Sequence, residues 1–218
     1  MVNPSINEDA YSVGGEWRKQ FGSLDFRASA EFGISGDRIG NYLFGEIRQP
    51  LFSSFSLTAG LRWQQQHPGF VFEQFTSSYA DYQWKNTPEM EQRTAIFAQL
   101  SHPDFGKLSL TTTNINNYAY YLQPDATSLA VAPTHLSSGI NLIQLDWEGG
   151  VKWGVFRLDM KVRGQQLSDN KEVMPMPNFI GRTALYYEDH WFKKAMFLNL
   201  GVSCLLYTSD AADEASSV

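Results

Sequence analysis

The feature that most constrains this chain is a strict apolar–polar alternation held over long runs. Leu24, Phe26, Ala28, Ala30, Phe32 and Ile34 are apolar, and Asp25, Arg27, Ser29, Glu31 and Gly33 fill the gaps. Phe55, Leu57, Ala59, Leu61 and Trp63 alternate with Ser56, Thr58, Gly60, Arg62 and Gln64. Phe156, Leu158, Met160 and Val162 alternate with Arg157, Asp159, Lys161 and Arg163. Met196, Leu198, Leu200 and Val202 do so with Phe197, Asn199, Gly201 and Ser203, and Thr94 to Leu100 repeats the pattern more weakly. Successive side chains of a strand point to opposite faces, so a period of 2 dictates strands with one apolar and one polar face. No window carries a convincing helical period. The fold class expected is all-β with negligible helix. The runs reach ~9–11 residues, beyond the ~5–6 typical of soluble sheets and equal to a tilted bilayer crossing.

The links sort by length. Phe21-Gly22-Ser23-Leu24, Phe105-Gly106-Lys107-Leu108 and Trp153-Gly154-Val155-Phe156 share one pattern: aromatic, Gly, any residue, apolar. Glycine supplies the backbone freedom of a tight turn. Two further short links fall near Gln49 to Ser54 and Asp189 to Lys194. Between them come Ser35 to Gly40, Gln65 to Gln92, Leu122 to Ser138 and Gln166 to Pro177, three of which are long and hold most of the proline. Short turns on one rim and longer loops on the other are the plan of an up-and-down outer-membrane barrel. Ten strands are expected, starting near Tyr11, Leu24, Asn41, Phe55, Arg93, Leu108, Ile140, Val155, Phe179 and Ala195. They form an antiparallel meander, a partial outer-membrane β-barrel whose sheet stays open.

Aromatic residues gather where strands meet links. Phe21, Phe52, Phe55, Phe105, Trp147, Trp153, Tyr187, Trp191 and Phe192 lie by the short turns, and Tyr42, Phe44, Trp63, Tyr118, Tyr120 and Tyr121 lie toward the loops. Two such belts are expected to sit at the two membrane interfaces, where amphipathic rings favour the headgroup zone.

The alternation also assigns faces. Leu24, Phe26, Ala28, Leu57, Leu61, Leu158, Met160, Leu198 and Leu200 are expected to face lipid. The candidate pore-lining residues are Arg27, Glu31, Arg62, Arg93, Arg157, Asp159, Lys161, Arg163 and Arg182. Counting Arg48 with these bases, and Asp25 and Glu46 with these acids, eight bases face four acids on one wall. That excess favours anions, unless the arginines pair with carboxylates on neighbouring strands and brace the wall.

The run Met174-Pro175-Met176-Pro177-Asn178-Phe179-Ile180-Gly181-Arg182-Thr183-Ala184-Leu185-Tyr186-Tyr187-Glu188, followed by Trp191-Phe192-Lys193-Lys194-Ala195, resembles the putative porins of Bacteroidota. Arg93 to Tyr121, with its His102-Pro103-Asp104-Phe105-Gly106-Lys107 turn, looks like the same family. The resemblance covers most of Glu8 to Ser203. It implies a large outer-membrane barrel with a role in diffusion or uptake.

Other chemistry finds little support. The four histidines, His67, His102, His135 and His190, form no close-spaced ligand pair and read as solvated link residues. No nucleophile elbow is present, and neither Gly14-Gly15 nor Gly149-Gly150 opens a phosphate loop. Asp81, Glu89, Glu91, Asp169 and Glu172 lack the spacing of an EF-hand, so no metal or other cofactor is expected. The single cysteine excludes disulfides and Cys-rich zinc sites. A net charge of −6 gives no reason to propose nucleic acid. No stretch is apolar and long enough for a transmembrane helix, while a barrel averages to a mild hydropathy.

The two ends stand apart. MVNPSINEDA has neither a basic nor an apolar export region, so a signal peptide is expected upstream. Cys204 to Glu214, CLLYTSDAADE, resembles the translation of a transposase-end sequencing adapter. Residues 1–203 are therefore expected to be a single β-barrel fragment and 204–218 a non-native tail. The expected function is a porin-like, non-enzymatic channel of the outer membrane. Its partners would be the lipid bilayer and small diffusing solutes. The competing readings are a soluble all-β carbohydrate-binding sandwich and an outer-membrane barrel enzyme.

Overall fold

A computed structural model describes residues 9–36, 38–77, 83–123, 130–168 and 170–208. Fourteen strands follow in chain order. They are β1 (Ala10–Phe21), β2 (Leu24–Gly36), β3 (Asn41–Pro50), β4 (Ser56–Gln66), β5 (Gln74–Phe75), β6 (Trp84–Lys85) and β7 (Glu91–His102). They continue with β8 (Gly106–Asn116), β9 (Ala119–Leu122), β10 (Ala132–His135), β11 (Ile140–Trp153), β12 (Phe156–Leu167), β13 (Phe179–Trp191) and β14 (Met196–Thr208). Among the described residues, helix is confined to the four-residue turn α1 (Phe70–Glu73) and a 3-10 turn at Phe52–Ser54. Ten long strands form one sheet in the order β1-β2-β3-β4-β7-β8-β11-β12-β13-β14, and β5-β6 and β9-β10 are two-stranded hairpins in the long loops. The long strands thus form an antiparallel meander, and β1 and β14 are its two open edges. The expected strand starts fall within two residues of those observed. The long strands form one sheet, not the two facing sheets of a sandwich.

The fold divides into two units. One comprises Met1–Ile47, Gly60–Ile96 and Thr113–Asn141, and the other Arg48–Ala59, Phe97–Thr112 and Leu142–Val218.

The turns follow from local chemistry. Gly22 and Gly154 have positive φ of 61° and 59°, while Ser23 and Val155 do not. Glycine first in a two-residue link is the pattern of a type II′ turn, whose twist matches that of the flanking strands. Gly106, at φ 81°, opens β8. The turn before β14 lacks glycine and carries positive φ at Phe192, Lys193 and Lys194 in succession.

In the first unit, the β1–β2 register puts Leu24, Phe26, Ala28, Ala30 and Phe32 on one face with Phe21, Lys19, Trp17, Gly15 and Val13. Lys19 lies one pair from the turn, where its long stem can carry the ammonium to the interface. In the second unit, Leu158 pairs with Val151 and Leu185, Met160 with Gly149 and Thr183, and Leu185 with Val202. This face is bare: Leu200 is 59 % exposed and Val202 78 %. Exposed leucine and valine along whole strands demand an apolar surrounding. Of the residues expected on the lipid side, Leu24, Phe26 and Ala28 share one face in the first unit, and Leu158, Met160, Leu198 and Leu200 share one in the second.

Buried positions are few and lie mainly at the loop ends of strands. Among the described residues they include Ile115, Ala119, Ile140 and Glu91 in the first unit, and Leu142, Leu167, Gln165 and Ala184 in the second. The long loops of the first unit cross-link one another. Phe72 stacks on Tyr121 at 4.6 Å, and Trp84 packs on Phe75 at 4.9 Å and Tyr121 at 5.7 Å. The Trp84 indole donates to the Val71 carbonyl at 2.7 Å. His135 is not merely solvated. Its Nε2 accepts from the Glu89 amide at 3.2 Å and its Nδ1 meets the Asn117 carbonyl at 3.3 Å, which assigns the proton to Nδ1. In the second unit His102 likewise packs, between Phe55 at 4.4 Å and Phe105 at 4.9 Å.

Candidate functional site: the polar wall

The polar face is organised by ion pairs. In the first unit Glu16 accepts from Arg18 on its own strand and from Arg27 Nε across the ladder at 3.1 Å. Arg27 also reaches Glu46 on β3 at 3.8 Å. Glu31 accepts the Ser12 hydroxyl at 2.7 Å. Arg62 and Arg27 stand 5.8 Å and 5.6 Å from the Phe44 ring centroid, within cation–π range. Arg93 pairs with Glu91, a buried carboxylate.

The second unit repeats the plan. Arg163 bonds Asp146 at 2.6 Å and Lys161 bonds Glu148 at 2.8 Å, each directly across the β11–β12 ladder. Glu188 gathers Arg157 at 2.7 Å and Lys152 at 2.8 Å. Arg157 also meets Asp159 at 3.4 Å and lies 4.5 Å over the Tyr186 ring. Arg182 shares this face, opposite Lys161, and among the described residues forms no ion pair.

Of the candidate lining residues, Arg27, Glu31, Arg62 and Arg93 take part in these polar contacts of the first unit, and Arg157, Asp159, Lys161, Arg163 and Arg182 share one face of the second. The sequence count missed partners. Glu16, Asp146, Glu148 and Glu188 also lie on this face, with Arg18 and Lys152. With Glu91 counted as well, ten bases face nine acids, so the two-to-one excess narrows to near balance, and ion pairs brace much of this face. The signal was available: Asp146 and Glu148 alternate with Leu145, Trp147 and Val151. It was obscured because Ile140 and Leu142 make the loop end of β11 apolar on both faces.

The aromatic belts need one correction. By the short turns, Phe21, Trp153 and Tyr187 do lie on the apolar face. There Trp191 donates to the Tyr187 hydroxyl at 3.3 Å, which donates to Asp189 at 2.9 Å. Toward the loops, however, Phe44 shares the polar face with Arg27 and Arg62. Tyr42 follows the same phase, its ring nearly parallel to that of Phe44 with centroids 6.5 Å apart. Neither belongs to a lipid-side girdle.

Of the acids weighed as metal ligands, Asp81 and Asp169 lie outside the described residues. Among the described residues no group of three or more His, Cys, Asp or Glu converges.

A sheet of long antiparallel strands, with ion pairs on one face and mostly apolar side chains on the other within each unit, is the pattern of a β-barrel wall. Residues 1–214 match the model of the putative porin family, and the chain belongs to that family. No curated protein matches it.

Proposed function

We propose that this protein is an outer-membrane channel for passive diffusion of small solutes, with no catalytic role. The observation that carries the reading is the division of labour within single strands. On β12, Arg157, Asp159, Lys161 and Arg163 present a hydrated ionic face while Leu158, Met160 and Val162 present hydrocarbon. Such strands are at equilibrium only between water and lipid. The open edges of β1 and β14 require partners in a bilayer, from each other or from further strands, because lipid satisfies no backbone hydrogen bond. The wall braced by paired charges keeps polar solutes hydrated without strong retention, which suits diffusion better than capture.

Reconstitution into planar bilayers tests this. Discrete conductance steps that grow linearly with salt are expected, together with liposome swelling in small neutral sugars. A protein that inserts and yet passes neither ions nor sugars overturns the proposal.

A further inference from the structure

On the polar face of the first unit, a 390 Å³ cavity opens where β1 to β4 approach their loops. Ser12, Glu31, Asn41, Tyr42, Gln64 and Gln66 are among the residues that line it. Its chemistry differs from the rest of the wall. Elsewhere the face is built of ion pairs; here it offers amides, a phenol ring and one carboxylate. Glu31 already holds the Ser12 hydroxyl. Arg38, at the rim, bonds the Pro68 carbonyl and lies 3.7 Å from Glu73. Gln64 donates to Gln66 on the same face of β4, and Asn41 bonds Gln65 at 3.4 Å.

We propose that this cavity is a binding step for neutral oligosaccharides on their way through the channel, with Tyr42 as its platform. The proposal rests on the transport reading and names the solute class. Each amide carries both donors and acceptors, matching hydroxyls that do the same. The planar Tyr42 ring offers a flat apolar face to the C–H side of a sugar, at little conformational cost. Phe44 lies beside it, its ring parallel to that of Tyr42 within 7° and its centroid 6.5 Å away. Arg27 and Arg62 fix Phe44. A pocket with a few convergent polar groups orients its ligand. An anion would find Arg38 already taken by the Pro68 carbonyl and Glu73.

The test uses the full protein in planar bilayers, with maltohexaose and xylohexaose as probes and a polyethylene glycol of equal hydrodynamic size as control. The expected result is saturable interruption of current by at least one saccharide, in excess of the polymer. Tyr42→Ala should weaken that block about tenfold, Gln64→Ala more mildly, and Tyr42→Phe hardly at all. Equal block by polymer and saccharides overturns the proposal while leaving the channel intact. So does block that Tyr42→Ala leaves unchanged in a variant of wild-type conductance. Should the protein form no channel, the transport reading fails on its own. Calorimetry of the detergent-solubilised protein then decides: saccharide binding that Tyr42→Ala abolishes supports the site, and no binding overturns it.

Discussion

Lys161 on β12 and Arg182 on β13 stand directly opposite one another on the polar face, two cations in one cross-strand pair. Like charges so placed repel, and Glu148 relieves only Lys161. Arg182 therefore carries the wall's uncompensated positive charge in this region. Arg182→Gln should shift the reversal potential toward cations in bilayers held across a salt gradient. The double variant Arg163→Gln with Asp146→Asn removes a matched pair and should leave it unmoved. An equal shift from both would show that the pairing does not govern selectivity.

The assignment of faces gives a second expectation. Met160 sits midway along β12 on the apolar face, next to Lys161 on the polar one. Met160→Arg should destabilise the protein by about 2–4 kcal/mol, the cost of a cation on the lipid side near the midplane. Lys161→Gln should cost far less. Urea titration of the protein folded into vesicles measures both. A harmless Met160→Arg would place that face in water.

These expectations rest on features of unequal legibility. On β2 every apolar residue from Leu24 to Phe32 falls in one phase, so its faces could be read without coordinates. The turns were as plain, because Gly22, Gly106 and Gly154 mark the positive φ that other residues resist. The ion pairs were not, because Arg27 with Glu16 and Arg157 with Glu188 depend on register between strands. Nor was the loop packing: Phe72 and Tyr121 lie far apart in sequence, and nothing periodic links them. Tyr42 and Phe44 were misread because position near a rim says nothing about face. Their phase against Arg62 decides it.

Gly106 tests the backbone argument. Its φ of 81° disfavours any side chain, and a Cβ there would collide with the Glu148 carbonyl on β11. Gly106→Ala should lower stability by more than the ~1 kcal/mol of ordinary left-handed strain, since β11 must also shift. Gly154→Ala, where a Cβ meets nothing, should show the strain alone. Equal losses in a denaturant series would remove the collision from the account.

The loop cluster predicts a pH response. Partial desolvation against Phe72 and Trp84 pushes the Tyr121 phenol above its ordinary value, although the residue is 41 % exposed. The folded protein thus holds the Tyr121 proton more tightly than the unfolded chain does. The docking contribution is fully present below the ordinary tyrosine value of about 10. As pH rises through that value, the unfolded chain ionises first, and the contribution is lost by the time the folded phenol ionises. Two signals should report this: phenolate absorbance assigned by Tyr121→Phe, and the fluorescence of Trp84, whose indole holds the Val71 carbonyl across the same loop. Trp84→Ala removes one wall of the Tyr121 site. It should move the Tyr121 titration back toward the ordinary value and speed proteolysis within residues 67–90. A Tyr121 titration that Trp84→Ala does not change would mean that the two rings are not packed in the membrane-bound protein.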